Sequence, residues 1–287
     1  MELGRVFFVK LKKWEGTALR INNKYISTAV IKYIATFSML IDHIMSSIYA
    51  DYMINKGYDE NYLFSEDIYY IIGRSIIGRI AMPLFCFLIS EGALRSKNRK
   101  KYVLRIFLIA LVSEYPHYLL FGREDKTINV IFGLLLGLLC IMTYDYFKDK
   151  FNHRVVILAS IVLFSLIAVL IRSEYTVLPV VLIMALYLSG YNYERKAFSG
   201  ALAFLFGTLI FSLNYVTTSF GAFGYDIVKN IDIFTNAVLR NVDAELAGLL
   251  AFLLIYGYNG QKGRLLPRYI YYIFYPAHIL LLYLFKI

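Results

Sequence analysis

The sequence predicts an all-α fold, a polytopic membrane bundle of about nine helices, on the rule that each crossing takes about 20 apolar residues. Hydrophobic residues fill 59% of the 287 positions and the mean hydropathy is +0.60, against about 45–50% apolar in an ordinary soluble domain. Charged residues fall to 17%. Apolar runs recur at close spacing from residue 28 to the end of the chain.

The runs are 28–50, 70–93, 102–121, 127–145, 154–171, 175–190, 197–216, 236–257 and 268–286, and together they make residues 28–287 one membrane domain. The run 175–190 is short, so it crosses with little tilt or enters only part of the way. Residues 1–27 form a basic segment in which Lys10, Lys12 and Lys13 interrupt Val6-Phe-Phe-Val9, leaving no apolar stretch of signal-peptide length. Phe7, Leu11, Trp14 and Ala18 fall at i, i+4, i+7 and i+11. Flanked by lysines, that stripe predicts an amphipathic helix lying on an anionic membrane surface, with a loosely ordered tail as the alternative.

Basic residues fix the expected orientation, because Lys and Arg collect in cytoplasmic loops. A cytoplasmic N-terminus places the Lys97-Asn-Arg-Lys-Lys101 loop, His153-Arg154, Arg195-Lys196 and the stretch from Lys262 to Arg268 all inside. It places Asp51, Asp59, Glu60, Glu66, Asp67 and the C-terminus outside. The same rule accounts for the excess of 30 Lys and Arg over 20 Asp and Glu, a net charge of +10, without a nucleic-acid partner. Cys86 and Cys140 both lie inside apolar runs, away from any second ligand at metal spacing, so neither a disulfide framework nor a metal site is expected.

Ionisable residues inside the runs point to function. Asp42 and His43 lie in the first, Arg79 and Glu91 in the second, Glu114 and His117 in the third, and His278 in the last. On insertion scales a charge at a helix centre costs about 2.5–3.5 kcal/mol, where a Leu or Ile returns about 0.3–0.6. Such groups turn inward and meet one another, which predicts a polar site within the bundle. Pro83 cannot bond the carbonyl of Arg79, and Pro276 likewise frees that of Tyr272. Opened backbone of that kind survives in a membrane only where protein or a wet cavity covers it.

His43 is the first candidate for a general base, since its side-chain type titrates near neutral pH. Asp42, its neighbour in sequence, points about 100° away on a helix, so orientation of the ring falls to Glu91 or to a polar group from another span. Tyr271, Tyr275 and His278 share one face at i, i+4 and i+7, either as part of the site or as satisfied packing. Glu114 and His117, at i and i+3 near the outer boundary, suggest an interfacial structural role.

These residues also carry a resemblance. Lys32 with Met39-Leu-Ile-Asp-His43, then Gly78-Arg-Ile-Ala-Met-Pro-Leu-Phe85 with Glu91-Gly92, Lys101-Tyr102 and Arg105, resemble the first blocks of the TraX family of bacterial membrane proteins. Ser113-Glu-Tyr-Pro116, Asn129-Val-Ile-Phe132, Tyr258-Asn-Gly-Gln-Lys-Gly263 and Tyr272-Ile-Phe-Tyr-Pro-Ala-His278 follow in order. Two places depart from the pattern: His117-Tyr118 stands for an apolar-acidic pair, and Glu174-Tyr-Thr176 for an Asp-Tyr-Gly turn.

The resemblance implies a membrane-acyltransferase-like protein of the bacterial inner membrane, taking acetyl groups from cytosolic acetyl-CoA to an acceptor at or within the membrane. The family's namesake acetylates a pilin N-terminus, so a pilin-like peptide is one acceptor and an envelope glycan hydroxyl another. Lys97, Arg99, Lys100, Lys101, Lys262 and Arg264 are then placed to hold the phosphates of coenzyme A. His43 takes the acceptor's proton, Arg79 faces the oxyanion, and Asp42, Glu91 and His278 complete the catalytic set. Two other classes stay open: a secondary transporter, which would need two related halves, and a non-catalytic assembly factor.

Overall fold

The computed structural model describes residues 24–125, 127–222, 224–264 and 266–286; the stripe expected from Phe7 to Ala18 lies outside them. Among the described residues there are only helices and two isolated bridges. The first passage is α1 (Thr28–Ile44), a π turn over Met45–Tyr49, and α2 (Ala50–Asn55), followed by α3 (Glu60–Ser65). The second begins at Ile68, loosens through a π segment (Ile71–Ile77) and a 3-10 turn (Gly78–Ile80), and tightens into α4 (Ala81–Arg95). Then come α5 (Arg99–Asp125), α6 (Val130–Phe147), α7 (His153–Leu170), α8 (Leu178–Leu188) and α9 (Tyr193–Ala222). α10 (Ile231–Glu245) passes through a 3-10 turn (Leu246–Leu249) into α11 (Leu250–Tyr256), and α12 (Arg268–Lys286) closes the chain.

Among the described residues six passages are long and apolar enough to cross a membrane: Thr28–Asn55, Ile68–Arg95, Arg99–Phe121, Val130–Phe147, His153–Leu170 and Tyr193–Ala222. The protein is thus an all-α polytopic membrane bundle. α8, the α10–α11 pair and α12 pack against these six.

α8 is the hub, enclosed by α4, α6 and α9. Its Leu178, Val180, Leu182, Ile183, Met184 and Leu186 are fully buried, which explains a run that is apolar on every side. Glycines let its neighbours approach: a Cβ on Gly137 of α6 would fall 2.5 Å from Ile183, and one on Gly207 of α9 would fall 2.6 Å from Leu178. Where a 175–190 crossing was expected, the helix has 11 residues, about 16 Å, roughly half the apolar thickness of a bilayer. A helix surrounded by protein has no need to match the lipid. The chain leading into it, residues 171–177, is drawn inward over its start, with Ser173 and Val177 buried.

The bundle's basic end is tied at the start of α1. Thr28 and Ala29 donate their amides to the carbonyls of Gln261 and Lys262, and Asn259 donates to Ile26. The loop turns through Gly260 and Gly263 at positive φ (76° and 67°), a conformation glycine adopts without steric cost. At the opposite end Lys286 of α12 meets Asp51 of α2 at 2.9 Å.

Candidate functional site

His43, near the end of α1, is buried and faces His278 of α12. Nδ1 of His43 lies 2.8 Å from Nε2 of His278, and Nδ1 of His278 lies 2.8 Å from the carbonyl oxygen of Phe274. A carbonyl only accepts, so His278 Nδ1 carries the proton; neutral His278 then presents a bare Nε2, to which His43 Nδ1–H donates. The lone pair of the dyad is left on His43 Nε2. The group that orients His43 comes from another span, as the geometry of neighbouring residues requires, and it is His278, not Glu91.

Aromatic rings fix this pair. The His43 ring sits edge-on to Phe121 at 5.4 Å and to Tyr275 at 6.2 Å, and His117 also packs on Phe121, at 5.3 Å. The expected face of α12 thus divides its contacts along α1: Tyr271 lies over Tyr33, while Tyr275 and His278 meet His43. Glu114 and His117 do not act together. Glu114 Oε2 accepts from both the backbone and the side-chain amide of Asn129, at 3.1 and 2.6 Å, a structural role at the start of α6. His117 is 4% exposed and its Nε2 approaches Glu174 at 3.7 Å.

Asp42 packs against Gly78: a Cβ there would stand 2.5 Å from Asp42 Oδ1, so only glycine fits between the two helices. The neighbouring Arg79 is buried and its Nη1 bonds Glu245 at 3.1 Å and the Tyr175 hydroxyl at 2.9 Å. Its carbonyl, the one Pro83 cannot bond, comes against Gly248 in the 3-10 turn. The break in the second passage extends upstream to Ile71, well beyond the single turn a proline disturbs.

The loop carrying Tyr175 is strained. Arg172, Tyr175 and Thr176 take φ of 52°, 60° and 41°, each costing an L-residue about 1–2 kcal/mol. Strain of this kind persists only where surrounding contacts impose it, and it gathers at functional sites. Here Ile128 donates to Arg172, and Glu174 donates back to Ile128. Thr176 occupies the third position of the turn, where a glycine would be at ease.

Several buried polar atoms on these elements have no hydrogen-bond partner among the described residues: Asp42 Oδ1, Arg79 Nε, Arg74 Nε, His117 Nδ1, Thr176 Oγ1 and the Tyr275 hydroxyl. An unmatched buried group costs about 1–3 kcal/mol, so each of these atoms calls for a partner outside the chain, water or ligand.

Glu91 lies elsewhere. It sits 12 residues along the chain from Arg79, about 18 Å along a helix, toward the basic end. There its Oε1 meets Lys196 Nζ at 2.6 Å and its Oε2 meets Arg95 at 2.8 Å. Lys196 is fully buried, and Arg95 reaches on to the Gly260 carbonyl and the Tyr193 hydroxyl at 3.0 and 3.1 Å. The network clamps the 257–264 loop to α4 and α9. Lys97, Lys100, Lys101, Lys262 and Arg264 are exposed at this end. Arg99 is engaged instead, with Asp145, the Tyr187 hydroxyl at 3.0 Å and the Ala93 carbonyl at 2.9 Å. Asp145 also binds Lys148, raising the pKa of that lysine above its ordinary value.

Glu245, Tyr175 and Lys196 join the polar networks without having been singled out from the sequence. Glu245 lies inside the apolar run 236–257, so the rule that found Arg79 would have found it too. Lys196 reads as part of a basic loop, and Tyr175 stands in the sequence only as the middle residue of the Glu174-Tyr-Thr176 turn, with no role attached to it. Among the described residues no group of three or more His, Cys, Asp or Glu is arranged to hold a metal ion.

Comparison with known proteins agrees with the motif order. The family model described as TraX protein matches residues 27–286. A probable fimbrial assembly protein, FimC of serogroup H1 from Dichelobacter nodosus, is 30% identical over 220 residues, covering 72% of this chain and 80% of that protein. No solved structure matches. The chain belongs to the TraX family.

Proposed function

We propose that this member of the TraX family is an acetyltransferase of the bacterial inner membrane, with its basic end in the cytoplasm. It uses acetyl-CoA to acetylate a membrane acceptor, the N-terminus of a pilin-like peptide. The observation that carries the reading is the ordered relay Phe274 carbonyl, His278, His43, which leaves a lone pair on His43 Nε2 inside the bundle.

An acceptor amine or hydroxyl must lose a proton as it attacks a thioester. His43 Nε2 is disposed to take it, and the hydrogen bond to His278 supports the imidazolium that forms. When the carbon–sulfur bond breaks, the same nitrogen returns the proton to the leaving thiolate. Arg79 holds positive charge near the reacting carbonyl. Lys97, Lys100, Lys101, Lys262 and Arg264 suit the phosphates of coenzyme A at the opposite depth. From Thr28 to His43 is about 22 Å of helix, so the acetyl-bearing arm has to enter the bundle.

The acceptor class draws on the relative named a fimbrial assembly protein. Purified protein in lipid nanodiscs, given labelled acetyl-CoA and a free-amino apolar peptide, should transfer label to the peptide N-terminus. Mass spectrometry of membrane proteins and glycans from cells with and without the gene should show one acetyl group on a peptide amine. Label on a glycan hydroxyl would move the acceptor assignment, and peptide binding without any acetyl transfer would make the protein an assembly factor.

A further inference from the structure

Tyr175 stands out in the structure for the backbone strain that surrounds it and for its contact with Arg79. The loop bearing it adopts left-handed backbone at three non-glycine positions, Arg172, Tyr175 and Thr176. It is pinned from both sides: Ile128 N donates to the Arg172 carbonyl at 3.1 Å, Glu174 N to the Ile128 carbonyl at 3.0 Å, and Ser173 N to the Ala168 carbonyl at 2.9 Å. Those contacts impose a conformation whose visible product is the placement of one phenol. Its ring leans on Phe211 at 5.5 Å, and its oxygen accepts from Arg79 Nη1 at 2.9 Å.

The direction of that hydrogen bond matters. A guanidinium only donates, so Tyr175 spends a lone pair on Arg79 and keeps its own hydrogen to give. Among the described residues that hydrogen makes no hydrogen bond. Arg79 is meanwhile held by Glu245 at 3.1 Å, which fixes the guanidinium and offsets its charge. A phenol backed by a fixed cation is a stronger donor than a free one. Its loop also reaches the histidines: Glu174, the residue before it, comes within 3.7 Å of His117, which packs on Phe121 as His43 does.

We infer that the Tyr175 hydroxyl, with Arg79 behind it, is the donor to the thioester carbonyl oxygen during acetyl transfer. The inference rests on the acyl-transfer reading above and names a further catalytic residue for it. As the acceptor nitrogen or oxygen forms its bond to the carbonyl carbon, the carbonyl π electrons move to oxygen, which Tyr175 O–H meets. His43 Nε2 takes the acceptor's proton. The electrons then return, the carbon–sulfur bond breaks, and the proton passes from His43 to the thiolate, leaving Tyr175 as it began.

The test uses the full chain in nanodiscs with acetyl-CoA and the free-amino apolar peptide, comparing wild type, Tyr175→Phe, Arg79→Lys, and fluorinated tyrosine at position 175. Removing one such donor lowers kcat by about 10²–10³-fold, so Tyr175→Phe should show that loss with KM for acetyl-CoA nearly unchanged. Arg79→Lys, which keeps a cation behind the phenol, should retain more activity than Tyr175→Phe. Fluorination, which acidifies the phenol without removing it, should restore turnover and shift its pH profile. Wild type that transfers alongside a Tyr175→Phe protein of similar kcat would overturn this inference alone. So would a loss traced to a raised KM and a lowered unfolding temperature, the signature of a structural tyrosine. Absence of transfer by wild type would remove the acyl-transfer reading and this inference with it.

Discussion

His43 Nδ1 and His278 Nε2 stand 2.8 Å apart with ring planes only 8° from parallel. Two helices separated by most of the sequence are joined there by one directional hydrogen bond, and its direction is set by a backbone carbonyl. Replacing His43 by Ala should lower acetyl transfer by about 10²–10⁴-fold while membrane insertion and the detergent-extracted yield stay normal. His278→Ala should cost less, and His278→Gln, whose amide oxygen can accept from Nδ1, should recover part of the loss. Near-normal turnover of His43→Ala would remove the base assignment.

The Arg79–Glu245 pair is buried on both sides, at 9% and 7% side-chain exposure. Removing one partner of such a pair typically costs about 3–5 kcal/mol, because the other is left charged in a poor solvent. Arg79→Met and Glu245→Leu should each lower the unfolding temperature in detergent. The double variant should recover much of that stability without recovering transfer. Additive destabilisation in the double would show that the two do not act as a pair.

Glu91 and Lys196 supply the contrasting case. Each single substitution, Glu91→Leu or Lys196→Met, should destabilise strongly and expose the 257–264 loop to protease. If the pair is structural, the double variant should regain both stability and acetyl transfer. A stable but inactive double variant would return Glu91 to the catalytic set.

Gly78→Ala places a methyl group 2.5 Å from Asp42 Oδ1. Forced overpacking of this kind costs about 1–3 kcal/mol, and here the strain falls beside His43. Transfer should drop more than stability does, since α1 must shift relative to α12. An alanine variant with unchanged kcat would mean that α1 tolerates the displacement.

Thr176→Gly offers the opposite sign. Relief of about 1–2 kcal/mol of left-handed strain outweighs the roughly 0.5–1 kcal/mol that glycine loses through backbone freedom, so the unfolding temperature should hold or rise. A clear fall would locate the stabilising contribution of Thr176 in its side chain.

Much of this protein was legible residue by residue. The cost of a charge in lipid marks Asp42, His43, Arg79, Glu91, Glu114, His117 and His278 without any knowledge of their partners, and all but Asp42 and Glu114 are buried. The same cost could have marked Glu245. What one-dimensional reading could not do was sort these groups into sites. Arg79 and Glu91 share one passage, yet a separation of 12 residues carries Glu91 about 18 Å away, into a different network.

The sequence by itself determined the solvent, the class of fold and the set of ionisable groups that had to find partners, because transfer energies belong to single residues and short runs. Tertiary structure alone decided which partners they found. His278 rather than Asp42 or Glu91 orients His43, Glu245, an acid far along the chain, holds Arg79, and a shortened α8 lets a strained loop bring Tyr175 in. Hydrogen bonds and ion pairs act over about 3–4 Å, so they depend on how helices far apart in the chain come to lie against one another, which no local pattern contains.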